Sequence, residues 1–133
     1  MSQVFQGERC IPVSYLKITK KEDLDQLQEG NFLMITGVTK GKGFQGVVKR
    51  YSFAGGPKTH GQKNRYRAPG SIGATAPQRV VPGKKMAGRM GGVNKTIRNL
   101  QIVQIDKENQ IVLVRGSVPG HNRSKIKIKS ITR

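Results

Sequence analysis

The sequence predicts a mainly β protein: a small β-barrel, closed or incomplete, carrying a long basic, glycine-rich loop extension. Three observations lead there. Apolar, β-branched runs of strand length lie towards the two ends of the 133-residue chain. Between Gly30 and Ile105 there is no Asp or Glu, although that stretch carries fourteen Lys and Arg residues. Its middle, residues 54–93, is dense in glycine and poor in large apolar side chains, so it has little core to offset the entropy of ordering its backbone.

Residues 10–18 read as a strand, with Pro12 near its start, where a strand tolerates proline, and with Ile11, Val13 and Tyr15 on one face. Residues 19–29 fit a short helix: Thr19 and Glu22 have capping-box spacing, Leu24 and Leu27 lie three apart, and Gly30 follows as a stop. The same residues hold four of the seven acids and fit a loop equally. Residues 32–36 form a short apolar strand. Residues 100–105 and 111–114 make a hairpin around the polar turn Asp106-Lys107-Glu108-Asn109, and the second arm, apolar throughout, is expected to be covered on both faces. After the turn signals Gly116, Pro119 and Gly120, residues 125–129 alternate Lys and Ile, which sends the isoleucines inward. The chain reads as a single domain, 1–133, with barrel strands drawn from 1–38 and 99–133 and an extension spanning 39–98. A loop of that length fits a compact domain if something outside the chain supplies its missing core.

The charge says what that something is. A net charge of +18 with no counterion inside the extension calls for an external polyanion, RNA or DNA. The candidate contacts are Lys40, Lys42, Lys49, Arg50, Lys58, His60, Lys63, Arg65, Arg67, Arg79, Lys84, Lys85, Arg89, Lys95 and Arg98. Tyr51 and Tyr66 are candidates to stack on unpaired bases; Phe44 and Phe53 have that reading and an ordinary packing one. Lys125, Lys127 and Lys129 fit either a binding face or an edge strand that carries lysine to block aggregation. A membrane partner is disfavoured, because no long apolar run or broad amphipathic helix is visible. One cysteine excludes an internal disulfide, and no signal-peptide pattern precedes it, which points to a reducing compartment.

No enzyme is expected. Gly41-Lys42-Gly43-Phe44-Gln45-Gly46 fits GxGxxG, but a dinucleotide site needs an acid about 20 residues on, and the next acid is Asp106. Cys10, His60 and His121 have no carboxylate close in sequence to complete a catalytic triad, and they make a poor zinc set. Catalytic residues, metal and cofactor are therefore all expected to be none.

Residues 39–50, TKGKGFQGVVKR, resemble the ribosomal large-subunit protein L-three family in its bacterial or organellar form. The resemblance continues through Thr59-His60-Gly61, Pro69-Gly70-Ser71-Ile72-Gly73, residues 83–91 (GKKMAGRMG) and Gly116-Ser117-Val118-Pro119-Gly120. It implies a β-barrel on the subunit surface and an extension threading through rRNA towards the peptidyl-transferase centre. It also implies binding near the end of the large-subunit rRNA, an early part in assembly, and large-subunit rRNA and neighbouring ribosomal proteins as partners. Residues 1–18 match the family's second strand region, the usual first strand has no counterpart, and the family's domain between residues 18 and 27 is nearly deleted. Such trimming suggests a reduced ribosome, in the mitochondrial matrix or, as the alternative, in a bacterial cytoplasm. A free-standing RNA or DNA chaperone is the competing class.

Overall fold

The computed structural model describes residues 1–19 and 24–131. In chain order the elements are β1 (Ser2–Gln6), β2 (Arg9–Lys17), β3 (Phe32–Val38), β4 (Phe44–Gln45), α1 (Val47–Tyr51), β5 (Gly88–Arg89), β6 (Asn94–Asp106), β7 (Ile111–Arg115) and β8 (Ile126–Ile131). They divide into two compact units: Met1–Lys40 with Val93–Arg133, and Gly41–Gly92.

The first unit is one antiparallel sheet in the order β1-β2-β7-β6-β3-β8. Among the described residues no pairing joins β1 to β8, so the sheet is open and the incomplete form of the expected barrel is the one found. The reason lies in β1, which is exposed along almost its whole length and has no buried face to draw it over the core. It is held as a hairpin arm on β2, with Gly7 at φ 60° opening the two-residue connection between Gln6 and Arg9.

Strand β6 serves both halves of the sheet. Its first part, from Asn94 to Gln101, pairs with β3, and its second, from Ile102 to Asp106, pairs with β7. Within the β3-paired part Asn99 takes the left-handed conformation at φ 59°, and the register with β3 slips between Leu33 and Ile35. This is a β-bulge: two residues oppose one, and the strand bends. Asparagine is among the few non-glycine residues that adopt that backbone readily. A second slip, between Ile102 and Gln104, bends the strand again. The preceding chain follows it, with Gly30 N–H donating to Ile102 O at 3.0 Å and Ile105 N–H to the Glu29 carboxylate at 2.9 Å.

The core lies inside this bend, made by Leu16, Ile18, Leu24, Leu33, Ile35, Leu100, Ile102, Val112 and Val114, with Ile126 and Ile128 packed against it. Strand β7 is buried on both faces as its composition predicts. The alternation over residues 126–129 also matches, Lys127 and Lys129 exposed and Ile126 and Ile128 turned inward. In strand β2, Ile11, Val13 and Tyr15 share one face as expected, but it is not the core face. Register places Ser14 and Leu16 on the core face opposite Val114 and Val112, whereas Val13 and Tyr15 share the other face, where Val13 is buried and Tyr15 is 55% exposed. The apolar side chains of residues 10–18 fall on both faces, so alternation alone could not choose the inner one. Of the segment read as a helix or a loop, residues 20–23 lie outside the described residues. Residues 24 and 25 are helical and the chain turns at 26.

The β6–β7 turn is closed by Asp106, whose carboxylate accepts the Asn109 side-chain amide at 2.8 Å and the Asn109 backbone N–H at 3.1 Å. These bonds hold its pKa below the usual carboxylate value. The native pKa is thus depressed relative to the unfolded one. The turn's contribution is complete above the unfolded value of about 4 and is lost as pH falls through the lower native value. In an NMR titration, Asn109→Ala is expected to return the Asp106 midpoint towards the ordinary one.

Candidate nucleic-acid interface

The second unit, Gly41–Gly92, carries eleven Lys and Arg residues and no acid, so no ion pair can form within it. Val47 is its one fully buried apolar side chain. Backbone pairing supplies most of the rest. Strands β4 and β5 pair Phe44 with Arg89 and Gln45 with Gly88, and the ladder is extended by Lys42 N–H to Met90 O and Met90 N–H to Gly43 O, both 2.9 Å. The GxGxxG motif is therefore one arm of a short ladder. The helix α1 behind it has five residues and ends at Ser52 in the left-handed conformation, with Lys49 and Arg50 in the last turn, where the helix dipole favours cations.

Arg50 differs from the other candidates. It is half-buried, its Nη1 donates to Met86 O at 2.7 Å, and its guanidinium lies over the Tyr51 ring at 4.9 Å. Lys85 Nζ approaches the same ring at 5.7 Å. A cation over an aromatic face is attracted by the ring's quadrupole. Here Tyr51 gathers two cations far apart in sequence, and its ring also meets Phe53, centroid to centroid, at 6.3 Å. The aromatics proposed for stacking thus part company. Tyr51 and Phe53 are half-buried, whereas Phe44 is 76% exposed. Tyr66 is exposed but tethered, its hydroxyl donating to Gln62 O at 2.9 Å.

A second closed loop presents Lys58, His60, Lys63 and Arg65, all exposed. It is tied at its base by Gly56 N–H to Tyr66 O, 2.9 Å. Gly55 is at φ 77°, and a Cβ there would run into the Tyr66 carbonyl oxygen. Gly55→Ala is expected to open this loop, since left-handed backbone alone costs about 1–2 kcal/mol in an alanine. The check is limited proteolysis, with faster cleavage between residues 55 and 67 than in the wild type.

Lys42, Lys49, Arg67, Arg79, Lys84, Lys85 and Arg89 are also exposed in this unit, Lys84 closing a turn on Val81 O at 3.2 Å. Lys40, Lys95 and Arg98 belong instead to the sheet unit, the latter two on β6. Sequence reasoning listed Arg50 among the RNA-contact candidates and could not see its hydrogen bond to Met86 O, which joins residues 36 apart and is displayed by no local pattern. Among the described residues no three His, Cys, Asp or Glu side chains are grouped to hold a metal, and no helix is long and apolar enough to cross a membrane.

An open antiparallel sheet with an acid-free, glycine-rich cationic unit inserted between β3 and β6 defines a class of small basic β proteins. Comparison with known families narrows it. The profile described as ribosomal protein L3 matches residues 13–111. The chain belongs to that family. It is 53% identical over 111 residues to large ribosomal subunit protein uL3 of Chlorobaculum parvum, covering 83% of this chain and 53% of that protein. It is 46% identical over 121 residues to the protein of the same name from Bacillus thuringiensis, covering 91% and 57%. The chain spans about half the length of these relatives. Both are bacterial, as is the relative from Chlorobaculum tepidum at 52% identity over 111 residues. The expected mitochondrial setting finds no support in them, and a bacterial one fits.

Proposed function

We propose that this chain is a structural component of a bacterial-type large ribosomal subunit. In this reading it binds large-subunit rRNA, supports early assembly and orders rRNA near the peptidyl-transferase centre, working in the bacterial cytoplasm with rRNA and neighbouring ribosomal proteins as partners. It performs no chemistry of its own. The sheet unit anchors the protein, and the extension, residues 39–98, reaches into folded rRNA.

One observation carries the proposal: the Gly41–Gly92 unit combines eleven cations, no acid and one fully buried apolar side chain. Such a unit gains most of its stability where closely spaced phosphates surround it. Within this unit the proposed contacts are Lys42, Lys49, Arg50, Lys58, His60, Lys63, Arg65, Arg67, Arg79, Lys84, Lys85 and Arg89, Arg50 also shaping the unit through its internal bonds; Lys40, Lys95 and Arg98 are proposed contacts on the sheet unit.

Sedimentation tests the assignment. The endogenous protein should travel with large subunits; protein remaining at the top of the gradient while subunits pellet would favour a free-standing chaperone. The phosphate-binding roles are tested by K84A/K85A/R89A, which should weaken binding to an rRNA transcript and reduce the slope of log affinity against log salt by about 0.9 for each phosphate no longer neutralised. An unchanged slope would return these three residues to solvent.

A further inference from the structure

The outer face of β8, β3 and β6 carries features that the extension does not explain. Strand β3 lies between the other two, with Ile128, Ile35 and Ile97 aligned across them and Ile35 fully buried. On the opposite side, Lys127 pairs with Thr36, which pairs with Thr96, and the two threonine hydroxyls are hydrogen-bonded at 2.8 Å. Lys129 pairs with Met34, beside the bulge that carries Arg98. Lys127, Lys129 and Arg98 are exposed. Strand β8, strand β3 and β6 as far as Gln101 contain no Asp or Glu.

We propose that this face is a second RNA-binding surface, which receives the shallow minor groove of an A-form duplex. The proposal rests on the reading of the chain as an rRNA-binding protein and adds a surface to it. Lysine on an exposed edge can serve only to block aggregation. That accounts for Lys127 and Lys129 but not for Arg98 and a hydroxyl pair further into the sheet. An A-form minor groove is wide and shallow and displays 2′-hydroxyls between two phosphate rows. A sheet face with a hydroxyl pair next to Met34 on its central strand and cations on the strands to either side is complementary to it. Lys127 and Lys129 are separated by about 6.8 Å along their strand, close to the spacing of successive phosphates. Rows on β8 and β6 lie about 10 Å apart, near enough for long side chains to reach both sides of a groove.

The test uses the full chain and an in vitro transcript of bacterial large-subunit rRNA, with affinity measured across a salt series. K127Q/K129Q is expected to lower the salt slope by about 1.5–2, corresponding to two neutralised phosphates, and K127R/K129R to keep it. T36V/T96V removes both hydroxyls of the pair while preserving side-chain shape, and is expected to weaken binding several-fold with the slope unchanged. Circular dichroism checks that each variant is folded. If both sheet variants bind like wild type while K84A/K85A/R89A binds with a reduced slope, the second surface is refuted and the rRNA-binding reading stands. If the wild-type protein itself shows no saturable binding to the transcript, the reading beneath the proposal fails as well.

Discussion

Truncating Leu33 to alanine is expected to destabilise the sheet unit by about 2–5 kcal/mol. Leu33 has no exposed surface and sits in the middle of the core, level with Leu100 on β6 and Ser130 on β8. The surrounding side chains come from both halves of the bent sheet, so they cannot close over the missing atoms without changing the bend. The loss is a large fraction of the whole stability of a small domain, about 5–15 kcal/mol. Urea unfolding followed by circular dichroism measures it, with Tyr15→Ala as a control on the outer face of β2, expected to cost much less. A Leu33→Ala cost below about 1 kcal/mol would show that the core has been wrongly located.

Replacing the chain between Gly55 and Gly92 with a short Gly-Ser linker should have the largest effect on function. The sheet unit should still fold and keep residual rRNA affinity. Particles assembled with this variant should have disordered rRNA around the peptidyl-transferase centre, because crowded phosphates would lose the cations that offset them and rely on Mg²⁺ alone. Chemical probing of rRNA in those particles is the measurement, and wild-type reactivity there would refute the proposed reach. A companion measurement uses the free, intact protein. With Val47 alone deeply buried in Gly41–Gly92, amides of residues 54–92 should exchange fast, while those of β7 exchange slowly.

Much of the sheet was legible because its signals are local. The β6–β7 hairpin, the alternation of β8 and the apolar run of β3 each state their own face. What escaped depended on distant partners. Strand β6 begins at Asn94, well before its apolar run at Leu100, because polar Asn94, Lys95 and Thr96 pair along β3 and Asn99 breaks the pattern between. The β4–β5 ladder joins two residues to two others 43 to 45 positions away, too few for any periodicity. Val47 and Val48 look like strand residues, yet a five-residue helix takes them, since burying Val47 decides a local preference that propensity leaves weak. For the site, the acid-free composition identified the cationic unit. It could not reveal that Arg50 bonds inward, or that Arg98, Lys127 and Lys129 share a face, since only pairing in the sheet brings them together.

Asn99 has an importance beyond its own contacts. One strand belongs to two halves of the sheet, and a left-handed residue in its β3-paired part is one of the two places where it bends. Evolution can therefore retune the curvature of the whole scaffold without altering any core or cationic side chain. A β-branched residue at this position would keep every charge in the sequence and still present them in the wrong geometry, so the fit to a rigid partner is written partly at a site that need not touch it.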